Sequence, residues 1–115
     1  MTEFNLIVIH SKDMEKLASF YALLDIDFVQ HRHDKGPEHF SAELGSIVFE
    51  IYPQRNDNDN TTNIRLGFTV NNIDKVLVDL INAGATIVSD VKDSPWGRRA
   101  VIDDPEGHRV ELLES

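Results

Sequence analysis

An α+β fold assembled from two βαβββ modules is predicted, on three observations. Apolar, β-branched runs alternate with amphipathic stretches, the pattern of strands and helices that pack on one another. The pattern occurs twice within 115 residues. The apolar stripe of each helix, together with the residue that caps it, recurs at one constant offset of 59 positions.

The elements follow in order. FNLIVIH (4–10) is β-branched and apolar and predicts a buried strand. Asp13 suits the N-cap of a helix whose apolar residues Met14, Leu17, Ala18, Tyr21 and Ala22 fall at i, i+3, i+4, i+7 and i+8. Asp25 and Asp27 punctuate its end. DFVQHRHD, EHFSAEL and SIVFEIYP predict three further strands, with Gly36-Pro37 and Gly45-Ser46 as turn signals between them. A polar, low-complexity stretch, 54–62, predicts a linker.

The second copy begins with the strand IRLGFTV (64–70). Asn72 caps a helix striped by Ile73, Val76, Leu77, Leu80 and Ile81, and Gly84 suits the position just past its end. TIVSDVKD, RRAVIDD and HRVELLE predict three strands, turned at Pro95-Trp96-Gly97 and at Asp104-Pro105-Glu106-Gly107. A ferredoxin-like βαββαβ chain needs only two strands after its first helix, and three are counted here. The expectation is a single domain, 1–115, of two modules, 1–53 and 63–115, joined by the linker 54–62.

Composition narrows the function. A hydrophobic fraction of 41% and a charged fraction of 27% suit an ordinary core. The net charge is −9 and no basic patch interrupts it, which disfavours nucleic acid and points to solubility and to neutral or cationic ligands. No cysteine is present, so disulfides, thiolate metal sites and cysteine nucleophiles are excluded. No apolar run approaches the ~18 residues of a membrane-spanning helix, and the N-terminus MTEFNLIVIHSKD lacks the features of a secretory signal. A cytoplasmic protein without membrane partners is expected.

Two βαβββ units closing on DPEGHRVEL resemble the vicinal oxygen chelate superfamily, which includes glyoxalase I, bleomycin-resistance proteins, fosfomycin-resistance enzymes and extradiol dioxygenases. SKDMEKLASFYALLDIDF, SIVFEIY, GFTVNNIDKVLVDLINAGA and PWGRRAVIDDPEGHRVELLE carry the resemblance over most of the chain. It implies that each module's strands curl as a mixed sheet into a half-barrel around a cavity, with the helix on the outer face. It also implies a homodimer, since the family commonly pairs modules across chains. In metal-dependent members the first and fourth strands of each module each offer one ligand, usually His or Glu. Those positions fall here on Leu6 and Glu50, then on Arg65 and Glu111.

Leu6 has no lone pair and Arg65 is a permanent cation without an acceptor. Glu50 and Glu111 alone make a poor transition-metal site, so no cofactor is expected and a divalent metal is disfavoured. Strand alternation puts Val48, Glu50 and Tyr52 on one face, with Ile47, Phe49 and Ile51 under the helix. Arg65 shares its face with Gly67 and Thr69, and Glu111 alternates with Val110 and Leu112. An ion pair of Arg65 with Glu50 or Glu111 is expected inside the cavity, buried enough that Arg65→Leu would cost about 3–5 kcal/mol.

Five further positions bear on the site. His10 lies at a strand end, as a pocket-mouth residue or as a solvated one. His31 and His33 share a face as a His-x-His pair that would need a third ligand, such as His39 or Asp34, to hold a metal. His108 sits at a turn and is expected to be solvated. Trp96, the sole tryptophan, either lids the cavity or plugs the end of the core. The expected ligand pocket is therefore His10, Glu50, Tyr52, Arg65, Trp96 and Glu111, between the modules, with no catalytic residue assigned. The function that results resembles a metal-free bleomycin-resistance protein binding a small molecule. The alternative is a metal-dependent lyase or dioxygenase of the same superfamily, with a cofactor-independent isomerase between the two.

Overall fold

The computed structural model describes residues 1–32 and 34–115. His33, half of the His-x-His pair, lies outside the described residues. The chain divides into two compact units, Met1–Thr61 and Thr62–Ser115.

The first unit runs β1 (Leu6–Ser11), α1 (Met14–Ala22), β2 (Val29–His31), β3 (His39–Leu44) and β4 (Ile47–Pro53). Its mixed sheet has the order β1-β4-β3-β2, with β1 parallel to β4 and the other pairs antiparallel. The second unit runs β5 (Arg65–Val70), α2 (Ile73–Asn82), β6 (Thr86–Ser94), β7 (Gly97–Asp103) and β8 (Arg109–Glu114). Its sheet repeats the arrangement as β5-β8-β7-β6. These are the two βαβββ modules, each with three strands after its helix, and neither sheet closes into a barrel.

The helices start where their caps allow. Asp13 Oδ1 accepts from the Lys16 backbone N–H at 3.2 Å, and Asn72 Oδ1 from that of Lys75 at 3.4 Å. Each cap satisfies one of the amide donors that a helix start leaves open. Leu17, Ala18 and Tyr21 are buried from α1, and Ile73, Leu77 and Leu80 from α2. The last position of each predicted stripe departs from expectation: Ala22 and Ile81 are exposed, whereas Phe20, outside the stripe, is buried.

The two cores differ in kind. Under α1, Tyr21 meets Phe20 and Phe49 edge-on at 5.2 and 5.3 Å, and Phe28 joins Phe49 at 5.7 Å. Under α2 the sheet contributes aliphatic residues, Ala100, Ile102, Val110 and Leu112. Full burial of each large side chain contributes about 1.5–3 kcal/mol, and edge-on aromatic pairs add directional contact in the first unit.

Two polar segments are more structured than the sequence indicates. Residues 54–61, expected as linker, belong to the first unit and carry a short 3₁₀ turn, Asp57–Asp59. Backbone bonding draws them onto β1: Gln54 N–H donates to the Ser11 carbonyl at 2.8 Å, and His10 N–H to Thr61 Oγ1 at 3.0 Å. The β7–β8 turn is built on a buried acid. Asp104 Oδ1 accepts from the backbone N–H groups of Glu106 and His108 at 2.9 and 3.0 Å, and His108 Nδ1 donates to Oδ2 at 2.9 Å. His108, expected in solvent, is 1% exposed. An imidazole that bonds the carboxylate four residues earlier can be buried without an orphaned donor on that side. No helix among the described residues is long and apolar enough to cross a membrane.

Candidate functional site

Each sheet buries one face under its helix and leaves the other open, and the expected site residues lie on the open faces. Glu50 on β4 stands opposite Val8 of β1, and Glu111 on β8 stands opposite Gly67 of β5. Val8 and Gly67 are 59 positions apart, so the two carboxylates hold equivalent places in the two units. Their flanking residues Phe49, Ile51, Val110 and Leu112 are buried on the helix side, as a period of two requires.

In the first unit, Glu50 is met by a residue that sequence reasoning did not assign to it. His39, at the start of β3, is 1% exposed and brings Nε2 to 3.5 Å from Glu50 Oε2. Its ring stacks on Tyr52 at a centroid distance of 4.2 Å and an interplanar angle of 7°, and on His31 at 6.0 Å. The Tyr52 phenol is raised above its ordinary range, first by burial and then by the charge of Glu50. His10, in register with Tyr52, turns to the polar segment after β4: Nδ1 donates to the Asp59 carbonyl at 2.6 Å and lies 3.1 Å from Asp59 Oδ1. His10, Glu50 and Tyr52 thus share one face, with His10 committed to Asp59.

In the second unit, Glu111 accepts from two guanidinium groups, Arg65 on β5 and Arg99 on β7, both on Oε1. These hydrogen bonds, Arg99 first, hold its carboxyl below the ordinary range. Arg99 and its neighbour diverge across the strand: Arg98 turns the other way and forms a two-point pair with Asp74 at the start of α2, at 2.7 and 3.0 Å. The Arg65 side chain is 51% exposed and that of Glu111 35%. The expected buried pair is therefore a half-solvated cluster, and solvent weakens it.

Trp96 occupies the two-residue turn Pro95-Trp96 between β6 and β7. The Ser94 hydroxyl accepts from the Trp96 N–H at 3.2 Å and donates to the Gly97 carbonyl at 2.6 Å. Trp96 is 75% exposed, so it is not a plug of the core. With Arg99, Glu111 and Leu113 it lines a pocket of about 300 Å³. Gly67 adds open space on the same face: a Cβ there would meet no atom within 4 Å. A broader groove of about 560 Å³ runs along α1 on the helix side, among Ala18, Ala22, Ile26, Phe28 and Phe40, and holds none of the expected site residues.

The glyoxalase-like domain family matches residues 6–113. The chain belongs to that family. A comparison with curated proteins finds no match. Solved structures share the fold over nearly the whole chain. A hypothetical protein of S. aureus aligns with a TM-score of 0.78 and 18% identity, covering 100% of this chain and 95% of that one. A glyoxalase/bleomycin resistance protein/dioxygenase family enzyme of Burkholderia phytofirmans PsJN aligns at 0.77 and 17% identity, covering 98% of both chains. TnmS3, an antibiotic binding protein of Streptomyces sp. CB03234, aligns at 0.76 and 19% identity, covering 99% of this chain and 96% of that one. At such identities the likeness establishes the fold alone.

The positions at which the family resemblance implies metal ligands are Leu6, Glu50, Arg65 and Glu111. Leu6 offers no lone pair, Arg65 only donates, and one oxygen of Glu111 already accepts from two guanidinium groups. Among the described residues, no three His, Asp or Glu side chains are placed to hold a metal ion. Sequence reasoning named His39 only as a possible third ligand for the His31–His33 pair, not as a partner of Glu50, and did not place Arg99 in the candidate site. Alternation puts each on the open face, but only the antiparallel register of β3 on β4 and of β7 on β8 sets them beside Glu50 and Glu111.

Proposed function

We propose that this glyoxalase-like protein binds a small molecule without catalysing a metal-centred reaction. The ligand's ring lies against Trp96, and Arg65 and Glu111 orient its polar groups. His10, Glu50 and Tyr52 form the corresponding polar face of the first unit. The observation that carries the reading is the state of Glu111: its carboxylate is neutralised by Arg65 and Arg99 beside the exposed Trp96. An aromatic surface with a few convergent polar groups is the usual make-up of a small-molecule site. The antibiotic binding protein among the structural relatives supports a sequestering role. A homodimer belongs to the same proposal, because both sheets end in edge strands that need cover.

Two measurements test it. After exposure to excess Zn²⁺, Ni²⁺, Mn²⁺ or Fe²⁺ and desalting, the protein should retain far less than one ion per chain. Stoichiometric retention that disappears in Glu50→Ala would favour the metal-dependent lyase or dioxygenase instead. Sedimentation should give a mass above the 13.0 kDa of one chain; a concentration-independent monomer would remove the dimer.

A further inference from the structure

The open face of the second sheet has the opposite sign to the chain as a whole. The net charge is −9, yet the register pairs of this face place Arg65, Lys92, Arg99 and Arg109 against only Asp103 and Glu111. Arg109 is occupied by Asp103, with Nε 3.0 Å from Oδ1. Beside the Trp96 pocket, that leaves Arg65 and Arg99 against the single charge of Glu111, with Lys92 directly across from Arg99. Both guanidinium groups converge on the same oxygen, Oε1. A guanidinium carries five N–H donors, so this contact uses only a fraction of what the pair can offer. Arg99 lines the pocket itself, and the surface opposite Glu111 is clear because residue 67 has no side chain.

We infer that the Trp96 pocket takes a planar aromatic anion, its ring stacked on the indole and its carboxylate or phenolate on the remaining donors of Arg99 and Arg65. The inference rests on the reading of Trp96 as the ligand platform and adds the charge class. The acidity of the whole chain argues for cations, but at physiological salt that field fades over about 8 Å. Groups touching the ligand therefore decide. A cation placed here would meet a carboxylate already over-compensated by two guanidinium groups, whereas an anion would gain charge-assisted hydrogen bonds. A planar, forked donor also matches a carboxylate in shape.

The test uses three probes of one shape, 2-naphthoate, 2-naphthamide and 2-naphthylmethylammonium. Each is titrated into ¹⁵N-labelled protein, and the single indole N–H resonance is followed. Naphthoate should shift that resonance saturably and bind about tenfold or more tighter than the ammonium, a gap on the scale of one charge-assisted hydrogen bond. Arg99→Gln should erase most of that preference, with the other amide resonances showing the fold intact. Equal or tighter binding of the ammonium would overturn the anion assignment yet leave the Trp96 pocket standing. So would naphthoate binding that ignores Arg99→Gln. If none of the three moves the indole resonance, both the anion assignment and the Trp96 platform fall.

Discussion

Glu50 and Glu111 occupy the same place in two copies of one module, yet they live in different environments. Each draws a partner from its antiparallel neighbour: His39 reaches Glu50 from β3, and Arg99 reaches Glu111 from β7. In the first unit the partner is a buried imidazole within a ring stack, and the parallel neighbour contributes Leu6, which cannot bond. In the second unit the partner is a guanidinium, and Arg65, at the counterpart of Leu6, supplies another. The difference shows how a duplicated scaffold separates roles. Position relative to the carboxylate is set by sheet register, whereas charge and solvation are set by three or four side chains around it. The first face is aromatic around a buried imidazole, the second cationic and half-solvated.

The largest effect is expected where the second unit has a device that the first lacks. Its last turn is closed by buried Asp104, whereas the first unit turns the corresponding corner with Gly45-Ser46. Asp104→Ala removes the acceptor of three hydrogen bonds and should destabilise the chain by about 3–5 kcal/mol. Chemical denaturation measures it, and a loss below about 1 kcal/mol would show that water replaces the carboxylate.

The paired positions come next. His39→Ala should cost about 2–4 kcal/mol, since it empties a buried, stacked site. Arg99→Ala, at the equivalent position, should cost about 1 kcal/mol because its cluster is partly solvated. Equal losses would mean that the two faces are alike in burial, and the contrast would collapse.

A smaller effect is expected at Arg65. With half its side chain in solvent, Arg65→Leu should change stability by less than about 1 kcal/mol, not by the 3–5 kcal/mol a buried pair would forfeit. The same denaturation series decides between them.

The smallest effects are on pH dependence and have opposite signs in the two units. Tyr52 is raised above 10.0, so its contribution is complete below the unfolded value and is lost as pH climbs through the higher folded one. Glu111 is lowered from 4.5, so its contribution is present above the unfolded value and is lost as pH falls through the lower folded one. Stability profiles of Tyr52→Phe and Glu111→Gln should therefore part from the parent at the alkaline and acid ends respectively. Deviations at the same end would contradict the assignment.

Much of this was legible in the sequence because the information is local and periodic. Alternation sorted Glu50, Tyr52, Arg65 and Glu111 onto open faces, the helix stripes and caps announced two modules, and the constant offset aligned them. What the tertiary structure decided is who meets whom across strands. A strand's own sequence fixes which face a residue points to, but its neighbour depends on a pairing register set by residues far along the chain. His39 beside Glu50 and Arg99 beside Glu111 are of that kind. So is the docking of residues 54–61 on β1 through His10, which composition alone reads as a loop. Burial, too, belongs to the fold. His108 is a turn residue by sequence, and it is hidden because Asp104, four residues earlier, turns its carboxylate inward to receive it.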